Sequence, residues 1–455
     1  MNDWSVEKVL ALAPDPGSAS AGQGLASLRK WAGLGASERA IWGLCQGSGK
    51  DPYQARVDLS EPAFKCSCPS RKFPCKHGLG LLLLFASERA SFKAASEPGW
   101  VSEWLESRGE RAVKKVEKAR AAAEAPVDIE AQAKRAAVRE ERVQRGVAEC
   151  RTWLDDLIRR GLAAAQSDAN AECERVAARM VDAQAPGLAG LVRRIPQVMA
   201  SGASGDGWEV RTLEVLGRLQ LLLVAAGRVG ALPASLAGDV RVALGYNQPK
   251  DEVLAGTGTI DRWTVLGQAF EEEDRLTVRR TWLHGVRSNC SALVVDFAVG
   301  NQPMETSLVP GMAFEGEVVF YPSGSPLRAL VKSRGESVRA ESPCASDGRH
   351  TIAAGLERFA RALNGNPWLM RWPLVLPRAR VVRAGAQWLI QQGEEVLPLS
   401  ARFQRGINLW RLLAASGGRE VTIAAEWDGE SAEPVGVFID AEGASFVGLV
   451  MRWAA

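Results

Sequence analysis

Three of the chain's eight cysteines and one of its three histidines fall within twelve residues, Cys66-Ser-Cys68-Pro-Ser-Arg-Lys-Phe-Pro-Cys75-Lys-His77. The pattern is C-x-C, six residues, then C-x-H. Three thiolates and one imidazole complete a tetrahedral Cys3His shell for a single zinc ion and leave no position for water or substrate. A shell of that kind stabilises a fold and performs no chemistry. The strongest feature of the sequence therefore points to binding rather than to catalysis.

The flanks say how the ligands are presented. Tyr53 to Val57 alternates as a strand, Asp58 to Pro62 is a polar turn, and Ala63 to Cys66 returns as a second strand. Cys66 and Cys68 lie two apart, so on an extended backbone both point to one face. Pro74 biases Phe73 away from helix. Cys75 and His77 would be about 200° apart on a regular helix, so Cys75 is expected just before the helix and His77 in its first turn. The apolar run Leu79 to Phe85 continues that helix against the hairpin.

With C-x-C and C-x-H in place, a hairpin before and an apolar helix after, the stretch from about Tyr53 to Ala86 resembles the SWIM-type zinc finger family. The resemblance implies a ββα fold with Cys66, Cys68, Cys75 and His77 as ligands of one structural zinc. The remaining chain is similar to larger bacterial proteins that carry such a finger near the N-terminus, in stretches such as Trp153-Leu-Asp-Asp-Leu-Ile-Arg-Arg-Gly-Leu162 and Ala178-Arg-Met-Val-Asp-Ala-Gln-Ala-Pro-Gly-Leu188. The family implies interaction with DNA or proteins. Its bacterial members imply a partner such as an AAA+ ATPase or a von Willebrand factor A-domain protein.

The rest of the 455 residues predicts a multi-domain α+β chain: a small ββα finger, a central helical domain and a C-terminal β-rich mixed domain. Residues 1–52 are expected to be a helical and loop segment packing on the finger, with a helix-like Ala36 to Cys45. Residues 53–86 are the finger and 87–145 a charged helical linker of mixed sign. Residues 146–245 carry apolar stripes at helical spacing, among them Val147, Trp153, Leu154, Leu157 and Ile158, then Val176, Met180 and Val181, then Leu213, Leu216, Leu219, Leu222 and Leu223. Residues 246–455 read as strands with helical pieces near Gly355 to Leu363 and Phe403 to Ala415, in one or two subdomains.

Charge and composition narrow the function classes. Lys plus Arg number 56 against 53 Asp plus Glu, so no global field draws the chain to nucleic acid. Any such contact must be local, and Lys65, Arg71, Lys72 and Lys76 with Phe73 are the candidate residues: cations for phosphates and a ring for a base. The competing reading makes these cations solvated or partners of the thiolates, with Phe73 packed on the hairpin. The opening Met-Asn-Asp-Trp-Ser-Val-Glu-Lys lacks the basic start and apolar core of a secretory signal. A cytosolic protein with no membrane span is expected.

Other polar features read blandly. Cys45, Cys150, Cys173, Cys290 and Cys344 are expected to be small buried hydrophobes, Cys45 being near enough in sequence to serve as a spare ligand. His284 and His350 read as surface or turn residues, and Glu271-Glu272-Glu273-Asp274 as a solvated hairpin turn. No phosphate loop, dinucleotide fingerprint or G-x-S-x-G elbow occurs. The expectation is a non-enzymatic zinc-binding protein acting as a protein-interaction scaffold. Nucleic-acid binding through the basic finger is the alternative, and an enzyme with an unrecognised site in the C-terminal half is the third reading.

Overall fold

The computed structural model describes residues 4, 6–13, 16–47, 51–60, 63–70, 73–110, 129–166, 168–201, 207–273, 276–299, 304, 307–343, 350–439 and 446–449. Helices α1 (Val6–Ala11) and α2 (Pro16–Gln23) precede four strands, β1 (Trp31–Ala36), β2 (Ala40–Cys45), β3 (Tyr53–Asp58) and β4 (Ala63–Cys66). Helix α3 (Lys76–Ser87) and a short β5 (Lys93–Ala94) follow. The strands form one sheet in the order β4-β3-β2-β1-β5, antiparallel except where β1 meets β5.

The helix expected over Ala36 to Cys45 is therefore a strand, and residues 31–45 extend the finger's sheet instead of resting on it. The Ser37 hydroxyl accepts from the amides of Arg39 and Ala40, which closes the β1–β2 turn. Periodicity could not separate the two readings, because β2 is buried on both faces and so reads as an unbroken apolar run. Ile41 and Cys45 join Val57, Phe64 and the leucines of α3 on one face. Ala40 and Trp42 face α4, residues 99–110, through Val101, Trp104 and Leu105 on the other. The first part of the expected linker thus belongs to the core of the N-terminal domain. Residues 111–128 lie outside the described residues.

The expected boundary at residue 145 falls inside a helix, since α5 runs without a break from Ile129 to Arg160. It is joined by α6 (Leu162–Ala165), α7 (Ala169–Asp182), α8 (Pro186–Ser201), α9 (Trp208–Ala226) and α10 (Ala234–Leu244), around one core that includes Val147, Leu154, Val176, Met180, Leu216 and Leu219. Three members of the sequence stripes, Ile158, Val181 and Leu213, point outward. The α10 carboxylate Asp239 is buried and accepts from the Gly324 amide at 2.7 Å and from Asn366 Nδ2 at 2.8 Å, tying the bundle to the C-terminal half.

After α11 (Lys250–Leu254), strands β6 (Thr259–Glu273), β7 (Leu276–Gly285), β8 (Ser291–Val299), β9 (Met312–Phe320) and β10 (Ala329–Arg339) form an antiparallel sheet ordered β10-β9-β6-β7-β8. Helix α12 (Ile352–Gly365) leads to a second sheet. Its strands are β11 (Trp372–Ala384), β12 (Gln387–Gln392), β13 (Glu395–Pro398), β14 (Val421–Trp427), β15 (Ala432–Phe438) and β16 (Phe446–Gly448), ordered β13-β12-β11-β14-β15-β16, with α13 (Ala401–Arg405) and α14 (Ile407–Ser416) between β13 and β14.

Strand alternation separates two cores. Val375 and Ala424 meet Leu266, Ala269 and Trp282 of the first sheet, whereas Leu374, Leu376 and Ile423 meet Phe359, Phe403, Leu409 and Leu412 of the helices. The layers are accordingly sheet, sheet and helices. Gly267 on β6 and Gly436 on β15 let the two backbones approach: a Cβ at Gly267 would lie 2.5 Å from the Val435 carbonyl oxygen, and one at Gly436 2.2 Å from that of Leu266.

Three bland readings in this half are corrected. Glu271 is a strand residue whose carboxylate accepts from Arg280 at 2.7 Å, while Asp274 lies outside the described residues. His284 and His350 are buried with their rings 5.6 Å apart, and burial first, then His350, pushes the His284 pKa down to about 4. Cys290 is exposed. The burial of the two histidines depends on segments 66 residues apart meeting in space, which their neighbours in the chain do not reveal. Cys344 lies outside the described residues.

Candidate metal centre

Four ligand atoms converge from three local structures. Cys66 ends β4, where it pairs with Ala55 of β3. Cys68 lies two residues on, in a bend fastened to β3: the Ser67 amide donates to the Gln54 carbonyl at 3.1 Å, and the Ser67 hydroxyl accepts from the Gln54 amide at 2.9 Å. Cys75 is the N-cap of α3, its sulfur accepting from the Gly78 amide at 3.5 Å, and His77 follows in the first turn. The helix dipole places partial positive charge at that end, which suits a thiolate.

The donor set fits zinc. The Cys66, Cys68 and Cys75 sulfurs and a His77 ring nitrogen all lie within 4.8 Å of one another. Cys66 Sγ and His77 Nδ1 are 3.8 Å apart, close to the ~3.6 Å separation of neighbouring ligands in a tetrahedral shell with Zn–S ~2.3 Å and Zn–N ~2.0 Å. Cys66, Cys68, Cys75 and His77 hold one structural zinc. Cys45, weighed as a spare ligand, is buried nearby and falls outside this cluster.

The thiols are electrostatically unequal. Cys66 donates to Cys75, which lowers the Cys75 pKa and, with burial, raises that of Cys66; burial also raises Cys68. A dication displaces the protons kept on Cys66 and Cys68, so affinity for the metal rises with pH.

Two supporting residues escaped the sequence reading. Tyr53 lies against the His77 ring at 4.9 Å between centroids. Arg56, one position from Ala55 on β3, is buried with its guanidinium 5.0 Å from the Trp100 ring and 5.7 Å from that of Trp104. Burial lowers its pKa, and the Cys66 sulfur and Glu103 oppose that shift. A Cys3His zinc centre carries about −1, and Arg56, which pairs with Lys65 on the sheet face opposite α3, is a cation held across the sheet from it. Nothing in the sequence signalled its burial, since β3 also carries Gln54 and Asp58 and α4 is what covers Arg56.

Of the candidate nucleic-acid contacts, the three described residues do not share one face. Phe73 packs edge-on against Phe64 at 6.1 Å. Lys65 and Lys76 are exposed, but Lys65 alternates with Phe64 and therefore leaves the sheet on the face opposite α3, the helix that starts with Lys76. Arg71 and Lys72 lie outside the described residues.

Away from the finger, a cleft of about 240 Å³ separates the bundle from the C-terminal half, lined among others by Arg194, Glu214, Arg218, Met370 and Asp428. Two of its charged groups have ion partners: Arg218 pairs with Glu214 at 2.7 Å, and Asp428 with Arg371 at 3.7 Å. Among the described residues, no helix is long and apolar enough to cross a membrane.

Comparison with known families matches residues 56–85 to the SWIM zinc finger and residues 138–244 to the SWIM-associated four-helix bundle domain. Comparison with curated proteins and with solved structures finds no match. The first match runs from the middle of β3 through β4 and most of α3, and the second begins within α5 and ends with α10. The Cys3His centre, its ββα frame and the bundle that follows make this chain a SWIM zinc finger domain protein.

Proposed function

We propose that the chain is a non-enzymatic cytosolic scaffold in which the zinc holds the finger domain rigid and the partner is another protein. The observation that carries this reading is the placement of Lys65 and Lys76 on opposite sides of the finger's sheet, with Phe73 engaged by Phe64. A surface that tracks a phosphate backbone needs its cations and its ring along one groove. The closed ligand shell also leaves the metal no open position for chemistry. By its family resemblance, an AAA+ ATPase or a von Willebrand factor A-domain protein is the partner to try first.

Nucleic-acid binding is the competing reading, favoured by the exposure of both lysines beside the metal. An enzymatic site in the C-terminal half is the third, and the cleft at Arg194 and Asp428 is where a ligand would lodge. Titration of zinc-loaded protein into labelled single- and double-stranded DNA and RNA, at low and physiological salt, separates the first two. No anisotropy change is expected at low salt. Binding that weakens steeply with salt and vanishes on neutralising Lys65, Arg71, Lys72 and Lys76 would replace the scaffold reading with nucleic-acid recognition.

A further inference from the structure

Helix α9 has a second apolar face that the bundle does not use. Thr212, Leu216, Leu219, Leu222, Leu223 and Ala226 are buried. On the outer side stand Val210, Leu213, Gly217, Leu221 and Val224, the four larger residues 71%, 57%, 45% and 39% exposed in that order and Gly217 also exposed. At ~100° per residue these five positions fall within an arc of about 80°, and they run ~21 Å along the helix. A Cβ built at Gly217 meets nothing within 4 Å, so the middle of the stripe is open.

The stripe is its own mirror in sequence: Val, three on to Leu, four to Gly, four to Leu, three to Val. A two-fold interface requires that residue i of one copy meet residue j of the other while j meets i. Antiparallel pairing about Gly217 satisfies that condition at every position. Val210 meets Val224, Leu213 meets Leu221, and the two Gly217 residues cross on the axis, where the missing side chains let the helices approach to about 8 Å or closer.

We infer that the outer face of α9 is the contact between two copies of this chain, paired as an antiparallel helix dimer. Charge agrees with that geometry. Glu214 and Arg218 flank the stripe on one side and pair within a copy at 2.7 Å. The two-fold rotation lays this flank against the same flank of the second copy, with each Glu214 about 3 Å of helical rise from level with the second copy's Arg218. The exposed Glu214 is thus carried towards the second copy's Arg218, whose guanidinium also lies against Met370 in the cleft.

Area sets the strength. The four apolar side chains leave on the order of 300–400 Å² uncovered per copy, the size of patch that monomers keep for function. A pair with its charged flanks reaches roughly 1,000–1,200 Å², the lower edge of specific interfaces. The dimer is therefore reversible. Nothing in this inference depends on whether the finger touches protein or nucleic acid.

Sedimentation velocity of the full zinc-loaded chain from about 1 to 100 μM, the range in which an interface of this size associates, should show a monomer–dimer equilibrium. The double variant Leu213→Glu/Leu221→Glu should weaken it by about 100-fold, while Ile158→Glu, an exposed apolar position off the stripe, should leave it unchanged. Circular dichroism and zinc content check that the variants fold. In a Cys290→Ser background, Gly217→Cys should give a disulfide-linked dimer on mild oxidation, because only the axial position meets itself, and Ile158→Cys should not. That result stands even if the double variant misfolds.

A monomer at every concentration with no cross-link overturns the inference, as does a dimer that persists in the folded double variant.

Discussion

The finger and the C-terminal sandwich both bury ionisable side chains, and they neutralise them by different routes. At the finger, Cys66, Cys68, Cys75 and His77 converge from a strand end, a bend and a helix start, and a metal ion supplies the compensating charge. In the sandwich the compensation comes from the chain. Glu426, fully buried on β14, accepts from Arg280 Nε at 2.9 Å and from Trp282 Nε1 at 2.7 Å across the gap between sheets, and Arg280 also reaches Glu271. Burial opposes the charge on Arg280, yet the two carboxylates hold its pKa above the ordinary value. Order at the finger is therefore conditional on free zinc and pH, whereas order in the sandwich requires only that its own strands meet.

The largest expected effect breaks the finger alone. Structural zinc binding is worth on the order of 10 kcal/mol or more, comparable with the whole stability of a domain. Cys75→Ser removes one ligand while leaving a hydroxyl that still caps α3, so the loss is the metal's alone. Metal analysis should find no bound zinc, and hydrogen exchange should show residues 53–86 losing protection while the bundle and the sandwich keep theirs. Stoichiometric zinc in that variant would sink the ligand assignment.

The converse change breaks the sandwich alone. Glu426→Ala leaves Arg280 and the Trp282 indole without their buried acceptor, which costs about 3–5 kcal/mol when one member of a buried pair is removed. Urea unfolding of the C-terminal half should shift by that amount with zinc content unchanged. Loss of zinc in this variant would mean that the two regions fold as one cooperative unit.

A smaller effect distinguishes the regions by how they respond to acid. His284 is folded with a pKa of about 4 and unfolds to an ordinary histidine near 6.5. The unfolded chain binds more protons between those values, so stability falls as pH drops through that window, by up to about 3 kcal/mol. His284→Gln should flatten the acid limb of the sandwich's stability profile between pH ~6.5 and ~4, read by urea midpoints. An unchanged profile would place the acid sensitivity on other groups.

What could be read before the fold was known depended on how local each signal was. The zinc ligands, the β3–β4 hairpin and the start of α3 are encoded within 25 residues, where spacing alone restricts the geometry. Most strands and helices of the C-terminal half were legible for a similar reason: runs such as Val421-Thr-Ile423 and Gly355 to Leu363 are bounded by their own turn residues. Longer-range facts were not. The strand at Ala40–Cys45 needed α3 on one side and α4 on the other to explain its unbroken apolar run, and α5 overran the expected boundary because its charged N-terminal turns and its apolar stripe belong to one helix.

By itself, then, the sequence determined a Cys3His zinc shell, a ββα frame for it, and the succession of helical and β-rich regions, because ligand spacing, period and turn chemistry act over a few residues. The tertiary structure alone decided which faces were covered. It buried Arg56 under α4, brought His284 to His350 and Glu426 to Arg280 across segments separated by 66 and 146 residues, and left the Val210–Val224 face of α9 open. Burial and electrostatics depend on distance in space, and separation along the chain carries no information about that until the chain has packed.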